Sequence, residues 1–146
     1  MRIIAGSRKG HTIHAPRGLD TRPTSDRVRE NVFNIVGPLD GAAARAIEQN
    51  LDKLRLSGTV LRRDGVTALA QEAGSGRKYD LVLVDPPYGM YTDLQPQLAR
   101  YLPAVLAEDG LLVVETDARV VPELPLPQRT SRKYGQARVT VFEAAE

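Results

Sequence analysis

The sequence predicts an α/β fold with a mainly parallel sheet, and three observations carry that expectation. Leu81-Val82-Leu83-Val84 and Leu111-Leu112-Val113-Val114 are short, branched, uninterrupted apolar runs, the pattern of strands buried on both faces. Around them lie stretches with apolar residues at helical spacing. Residues 129–134 and 138–143 read as an antiparallel hairpin turning at Gly135-Gln136. Helices alternating with buried strands and ending in a hairpin imply helices on both faces of a sheet with one antiparallel edge.

In chain order, residues 2–5 and 12–15 read as a small hairpin around a turn holding Gly6 and Gly10, and Pro16 and Gly18 then break the chain. A helix follows Thr21-Arg22-Pro23: Pro23 disfavours the α region at Arg22, Thr24 or Ser25 can cap, and Asp26 suits the first turn. Val28, Val32, Ile35 and Val36 give that helix its apolar side, and Gly37-Pro38 stops it. Arg27, Arg29 and Glu30 project elsewhere, as surface charges or as a grip on an anionic group. A second helix spans 42–54, with Ala43, Ala46, Ile47, Leu51 and Leu54 on one side and Ser57-Gly58 ending it.

Residues 59–62 suit a strand closing on Arg63-Asp64-Gly65, 66–73 a short helix, and Gly74-Ser75-Gly76-Arg77-Lys78 a loop. Residues 79–84 form the expected central strand. Asp93 can cap a helix containing Leu94, Leu98, Tyr101 and Leu102, kinked at Pro103, and Asp109-Gly110 turns the chain into the strand at 111–115. Pro122, Pro125 and Pro127 make an extended connection to the hairpin.

A length of 146 residues suits one domain, and 42% hydrophobic with 26% charged residues is an ordinary globular balance. No apolar run approaches the roughly 20 residues needed to cross a bilayer, and the N-terminus lacks the apolar stretch of a secretory signal, so the expectation is a cytoplasmic protein with no membrane partner. The absence of cysteine removes disulfides, thiolate metal sites and cysteine nucleophiles, and no metal site is expected. The net charge is only +2, yet Arg2, Arg8, Lys9 and Arg17 all precede the first acid, Asp20. Such a basic arm suits a polyanion, because Lys and Arg displace counterions condensed on phosphate. The alternative is a solvated basic edge that keeps a strand from pairing.

The central strand ends in Asp85-Pro86-Pro87-Tyr88. Neither proline can donate to a ladder, so pairing stops at Asp85 and a carboxylate, two stiff residues and an aromatic stand at the sheet's carboxyl edge, where open α/β sheets bind ligands. Asp-Pro-Pro-Tyr is the motif of methyltransferases that act on exocyclic base amines. A base amine is a poor nucleophile because its lone pair is delocalised into the ring. The Asp85 carboxylate and the Pro86 carbonyl can accept its two hydrogens and aim the lone pair at a methyl donor, with Pro87 fixing the corner. Tyr88 offers a face for an extruded base, worth about 1–3 kcal/mol. The plainer reading is a rigid turn that ends a strand. Ring-carbon methylation of cytosine is disfavoured, since it needs a thiolate.

Taken together, Met1-Arg2-Ile3-Ile4-Ala5-Gly6, Lys9-Gly10, Thr21-Arg22-Pro23-Thr24, Asp26-Arg27-Val28-Arg29-Glu30, Phe33-Asn34-Ile35, Asp85-Pro86-Pro87-Tyr88 and Tyr134-Gly135 resemble the bacterial 16S ribosomal RNA guanine-N2 methyltransferases of the RsmD type. The resemblance implies a Rossmann-like, S-adenosylmethionine-dependent methyltransferase domain over 24–146 behind an N-terminal RNA-binding extension over 1–23. It implies catalysis by Asp85, Pro86, Pro87 and Tyr88, and cofactor contacts from Asp64, Gly65, Thr24, Arg27 and Asp85. RNA contacts fall to Arg2, Arg8, Lys9, Arg17, Arg22 and Arg29. The substrate implied is 16S ribosomal RNA or the assembling small subunit, at guanine 966, with the enzyme a monomer.

One departure is large. Such enzymes carry a strand ending in Asp-x-Phe/Tyr-Ala-Gly-Ser-Gly, a helix, and a strand ending in an acid for the ribose hydroxyls. Here Gly37-Pro38-Leu39-Asp40 passes almost directly into the helix after that second strand, although a βαβ unit needs about 30 residues. The expectation is that the methyltransferase part is interrupted near residues 40–44 by a segment outside the 146 residues. A genuine deletion would leave an RNA-binding chain without cofactor affinity. An adenine-N6 DNA methyltransferase shares the tetrapeptide and stays open as an alternative.

Overall fold

The alanine-rich stretch after Leu39-Asp40 has few branched residues to resist a helix, and it forms α1, Gly41–Leu54. The computed structural model describes residues 2–3, 7–14, 41–87 and 89–145; the helix expected after Pro23 and the boundary at residue 23 lie outside them. Ala44, Ala46 and Leu54 are buried, and Lys53 in the last turn suits the negative end of the helix. The helix stops earlier than Ser57-Gly58. Arg55 turns left-handed at φ 53°, and the Leu56 N–H closes back on the Leu51 carbonyl at 2.9 Å.

The N-terminal arm is tied to this helix. The His14 N–H donates to Asn50 Oδ1 at 2.7 Å, Asn50 Nδ2 donates to the His14 carbonyl at 2.8 Å, and Lys53 Nζ donates to the Thr12 carbonyl at 2.5 Å. The expected hairpin is reduced, among the described residues, to the single bridge Arg2↔Thr12, with Gly10 at φ 89° in the turn.

Residues 59–62 are not a strand. They pair with no strand among the described residues, and Arg62 pairs with Glu48 of α1. Helix α2, Gly65–Ser75, then begins under a cap: Asp64 accepts from the Thr67 N–H at 2.8 Å and from Thr67 Oγ1 at 3.1 Å. Gly76 ends it in the left-handed region.

Strand β1 is Tyr79–Val84, α3 is Tyr91–Val105 and β2 is Leu106–Asp117, a crossover that leaves β1 and β2 parallel. Met90, not Asp93, precedes the first turn of α3; Asp93 lies inside that turn, where its charge still suits the helix dipole. Both Pro96 and Pro103 are accommodated within the helix. Asp109-Gly110 is not a turn before a strand but an irregularity within β2, where the register steps from Tyr79↔Leu106 to Leu81↔Leu111. Glycine is required there: a Cβ on Gly110 would sit 2.9 Å from the carbonyl oxygens of Ala107 and Tyr79.

β3, Gln128–Tyr134, and β4, Ala137–Glu143, form the expected hairpin, turning through Gly135 at φ 64°. The described sheet runs β1-β2-β4-β3. Its class is Rossmann-like α/β, but it is mixed rather than mainly parallel, with one parallel and two antiparallel pairings. Leu112, Val114 and Phe142 on one face pack with Leu98, Leu102 and Val105 of α3, and this is the main core.

The position of β1 corrects the expectation of a central strand. It is an edge of the described sheet, and Leu81 on its other face is 55% exposed. The apolar run suits burial between two neighbours, and only one is present among the described residues. No helix among the described residues is long and apolar enough to cross a membrane.

Candidate active site

The carboxyl end of β1 is where the chain leaves the sheet. Pro86 and Pro87 end the ladder, the Met90 N–H closes a turn on the Pro87 carbonyl at 3.1 Å, and Gly89 takes φ 86°, a value only glycine adopts freely. The loop thus passes straight into α3, whose first residue, Tyr91, is buried. The Tyr91 hydroxyl has no hydrogen-bond partner among the described residues, and burial, with help from the Glu123 carboxylate, pushes its pKa up.

Alternation along β1 puts Asp85 on the face shared with Leu81 and Leu83, opposite the face that α3 covers. The pairing Val84↔Val114 makes Glu115 the neighbouring position on β2, so two acids stand side by side at the carboxyl edge. Asp85 is half-buried and has no hydrogen-bond or ion-pair partner among the described residues. Burial raises its pKa from 3.8 to about 6. The Pro86 carbonyl likewise accepts no backbone bond among the described residues. Among the described residues, no donor therefore reaches the acceptor pair at this corner. Tyr88 lies outside the described residues.

The raised pKa makes a stability prediction. Between about pH 4 and 6 the folded chain holds a proton on Asp85 that the unfolded chain has lost, so the stability tied to the neutral carboxyl is lost as pH rises through about 6. A shift of this size corresponds to at most about 3 kcal/mol. Asp85→Asn cannot ionise. Its urea midpoint should therefore gain on that of the unsubstituted chain as pH goes from 4 to 7; a constant difference across that window would contradict the shift.

Among the described residues, Asp64 lines a groove in which neither Gly65 nor Asp85 takes part. This groove of about 740 Å³ lies between α2 and α3, lined also by Thr67, Gln71, Gln97, Arg100 and Tyr101. Arg100 lies over the Tyr101 ring at 5.3 Å from its centroid, while Arg63 donates to Gln71 at the rim. The signal for this groove in the sequence is faint: Gln97, Arg100 and Tyr101 fall at the i, i+3, i+4 spacing of one helix face. Of the expected RNA-binding residues, Arg2 and Lys9 are exposed and Arg8 half-buried, with no acidic partner among the described residues. Arg17, Arg22, Thr24, Arg27 and Arg29 lie outside them.

These residues do not fit a whole S-adenosylmethionine. Its carboxylate and ribose call for backbone N–H groups at a glycine-rich strand-to-helix turn and for a following acid. The sequence contains no such turn, one oxygen of Asp64 is committed to its cap, and no described strand lies outside β1.

The family model described as conserved hypothetical protein 95 matches residues 1–42 and 39–143, two stretches that meet at 39–42 and together cover nearly the whole chain. Ribosomal RNA small subunit methyltransferase D of Escherichia coli K12 is 26% identical over 122 residues, covering 60% of this chain and 60% of that protein. The chain spans 60% or less of the length of the curated relatives it matches. Because the 122 aligned positions take in only about 88 of the 146 residues here, about 30 positions of that relative face a gap. Among solved structures, hypothetical protein TTHA0928 of Thermus thermophilus superposes with TM-score 0.79 at 20% identity over 99% of each chain. The Escherichia coli protein yhhF superposes with TM-score 0.76 at 25% identity, over 100% of this chain and 99% of that one.

Proposed function

The chain belongs to the conserved hypothetical protein 95 family, and on that premise we propose that it methylates the exocyclic N2 amine of a guanine in 16S ribosomal RNA, in the cytoplasm. The observation that supports this reading is the acceptor pair at the end of β1 that no described donor reaches, the Asp85 carboxylate and the Pro86 carbonyl on a corner stiffened by two prolines. The name of the Escherichia coli relative supports ribosomal RNA as the substrate class.

On the amine's side the chemistry follows from these groups. Each N–H of the amine finds one acceptor, the nitrogen is drawn towards a tetrahedral shape, and its lone pair is freed from the ring. Fixed acceptors need no reorganisation as the bond forms, and correct alignment alone is worth on the order of 7–11 kcal/mol over free reactants. Asp85, with its pKa raised to about 6, is also a better proton acceptor than a surface carboxylate and can take the proton that the methylated nitrogen sheds. The family's fold implies S-adenosylmethionine as donor, but the described residues do not enclose it, so only the amine's half of the reaction follows from them.

The test is to map methylated bases on small-subunit RNA from cells with and without the protein. Loss of one N2-methylguanine on deletion is expected. Loss of an N6-methyladenine, or no loss, would overturn the reading.

The arm makes a separate prediction. Replacing Arg8 and Lys9 together by Ala should weaken RNA binding and lower the salt slope of log K by about one unit per lost phosphate contact. A slope equal to that of the unsubstituted chain would make the arm structural.

A further inference from the structure

We propose that the tip of the β3–β4 hairpin is a second RNA contact, in which Arg132 and Lys133 hold phosphates of the strand flanking the extruded base. This deepens the proposed function: it rests on RNA being the substrate, but not on which base amine is methylated.

Charge is distributed to suit such a contact. The whole chain has a net charge of only +2, from 20 cations and 18 acids. Four of the cations, Arg129, Arg132, Lys133 and Arg138, fall in residues 124–142, which contain no acid. Four more make up the N-terminal arm, so the other 12 cations face all 18 acids and the rest of the chain stands at −6. Positive charge is thus gathered on the arm and on this hairpin of an otherwise acidic chain, the footprint of a polyanion partner.

Most of the cations around the hairpin are already spent. Arg119, just past the end of β2, pairs with Asp117 at 2.9 Å, and Arg129 pairs with Glu143 at 3.3 Å. Arg138 is half-buried: Nε and Nη2 donate to the Ala118 carbonyl at 3.3 and 3.2 Å, and Nη1 donates to Ser131 Oγ at 2.8 Å. Those bonds, with the Ala118 N–H on the Gln136 carbonyl at 2.9 Å, fasten the hairpin tip to the end of β2. Arg132 and Lys133 are exposed and have no hydrogen-bond or ion-pair partner among the described residues.

Their position relates them to the base. β4 is antiparallel to both its neighbours, so β3 runs in the direction of β1 and β2 and its last residues reach the carboxyl edge. The register places Arg132 in the row of Asp85: Val84↔Val114 sets Asp85 beside Glu115, Glu115 pairs with Val139, and Val139 pairs with Arg132. Three strand spacings make that about 14 Å, within a few nucleotides of a base held at Asp85. Tyr134 lies on the same face, packed with Leu83 and Val113 around Val139. Lys133 points to the opposite face, so the two cations straddle β3, whose outer edge is unpaired among the described residues. Cations on an edge strand also deter other strands. That duty needs no particular end of β3, whereas the two free cations stand at the end nearer the carboxyl edge and the paired one, Arg129, at the other.

The experiment is a salt series of filter-binding titrations with the full chain and labelled 16S ribosomal RNA transcript. Arg132→Gln with Lys133→Gln should lower the salt slope of log K by about 1.4 units, the value for two single-strand phosphate contacts, and weaken binding about 20-fold near 0.1 M salt. Arg129→Gln removes the same kind of charge from the far end of β3 and should leave the slope unchanged. All these side chains are exposed, so the urea midpoints should stay together.

A double variant with the slope intact would overturn the proposal, and its self-association would make the cations guards of the edge. So would an equal loss of slope per charge in Arg129→Gln, or a chain that does not bind the transcript at all. Binding to phosphatidylserine vesicles as tight as to RNA, and lost in the double variant, would assign the cations to a membrane surface and also overturn it. A lowered slope with no RNA methyl group lost on deletion would remove the proposed function and leave this contact standing. Loss of that methyl group with the slope intact would do the reverse.

Discussion

Cells in which Asp85→Ala is the only copy of this protein should have small-subunit RNA as undermethylated as cells lacking it altogether. Removing one fixed electrostatic partner of a transition state costs on the order of 10²–10³ in rate. Asp85 has two roles at once, accepting an amine hydrogen and receiving a proton, and the neighbouring Pro86 carbonyl cannot replace the second. The variant should still fold. Asp85 makes no side-chain bond among the described residues, and relief from burying a carboxylate offsets the small cavity left by Ala. Equal levels of folded protein with no methylated base is the expected pair of results. Full methylation by the variant would take Asp85 out of the chemistry.

Phe142→Ala should cost more stability than any surface change in the chain. Phe142 is 2% exposed on β4, paired with Leu112 and packed in the cluster that holds Leu98, Leu102 and Val105. Truncating a buried phenylalanine costs about 3–5 kcal/mol, while whole domains have only about 5–15 kcal/mol to lose. A sheet with an unpaired apolar edge belongs at the low end of that range, so the variant should be largely unfolded at 25 °C by circular dichroism. Leu81→Ser, on the exposed side of the same sheet, should change the urea midpoint by less than about 0.5 kcal/mol equivalent. A Phe142→Ala midpoint within 1 kcal/mol of the unsubstituted chain would mean that this cluster is not the core.

The parts of the fold that local rules govern were legible in the sequence. The run at 79–84, the hairpin at Gly135 and the helices begun at Gly41 and Gly65 each follow from periodicity and turn chemistry within a few residues. What failed depended on partners. The apolar run of β1 promised two neighbours and has one among the described residues, and 59–62 has strand composition yet lies in no strand. Asp109-Gly110 has the composition of a turn, yet it lies within β2, as an irregularity in the ladder to β1. Pro96 and Pro103 stay inside α3 because tertiary packing of Leu98 and Leu102 outweighs two lost backbone bonds.

The candidate site divides in the same way. Asp85-Pro86-Pro87 could be placed at a sheet edge from sequence, since two prolines after an apolar strand leave few alternatives. The burial that lifts the Asp85 pKa could not, because it depends on what packs around the corner. Asp64 caps α2, and the groove beside it is shaped by α3 side chains far away in sequence.

The central claim is that an unstacked base sits against the Asp85–Pro86 corner. A small-subunit RNA fragment carrying 2-aminopurine at the mapped nucleotide tests it most directly, because that base keeps the N2 amine and brightens when it leaves the stack. Titration with the protein should raise the fluorescence several-fold, and Asp85→Ala should bind the same RNA with a much smaller rise. Tight binding by the unsubstituted protein with the base still dark would contradict the account.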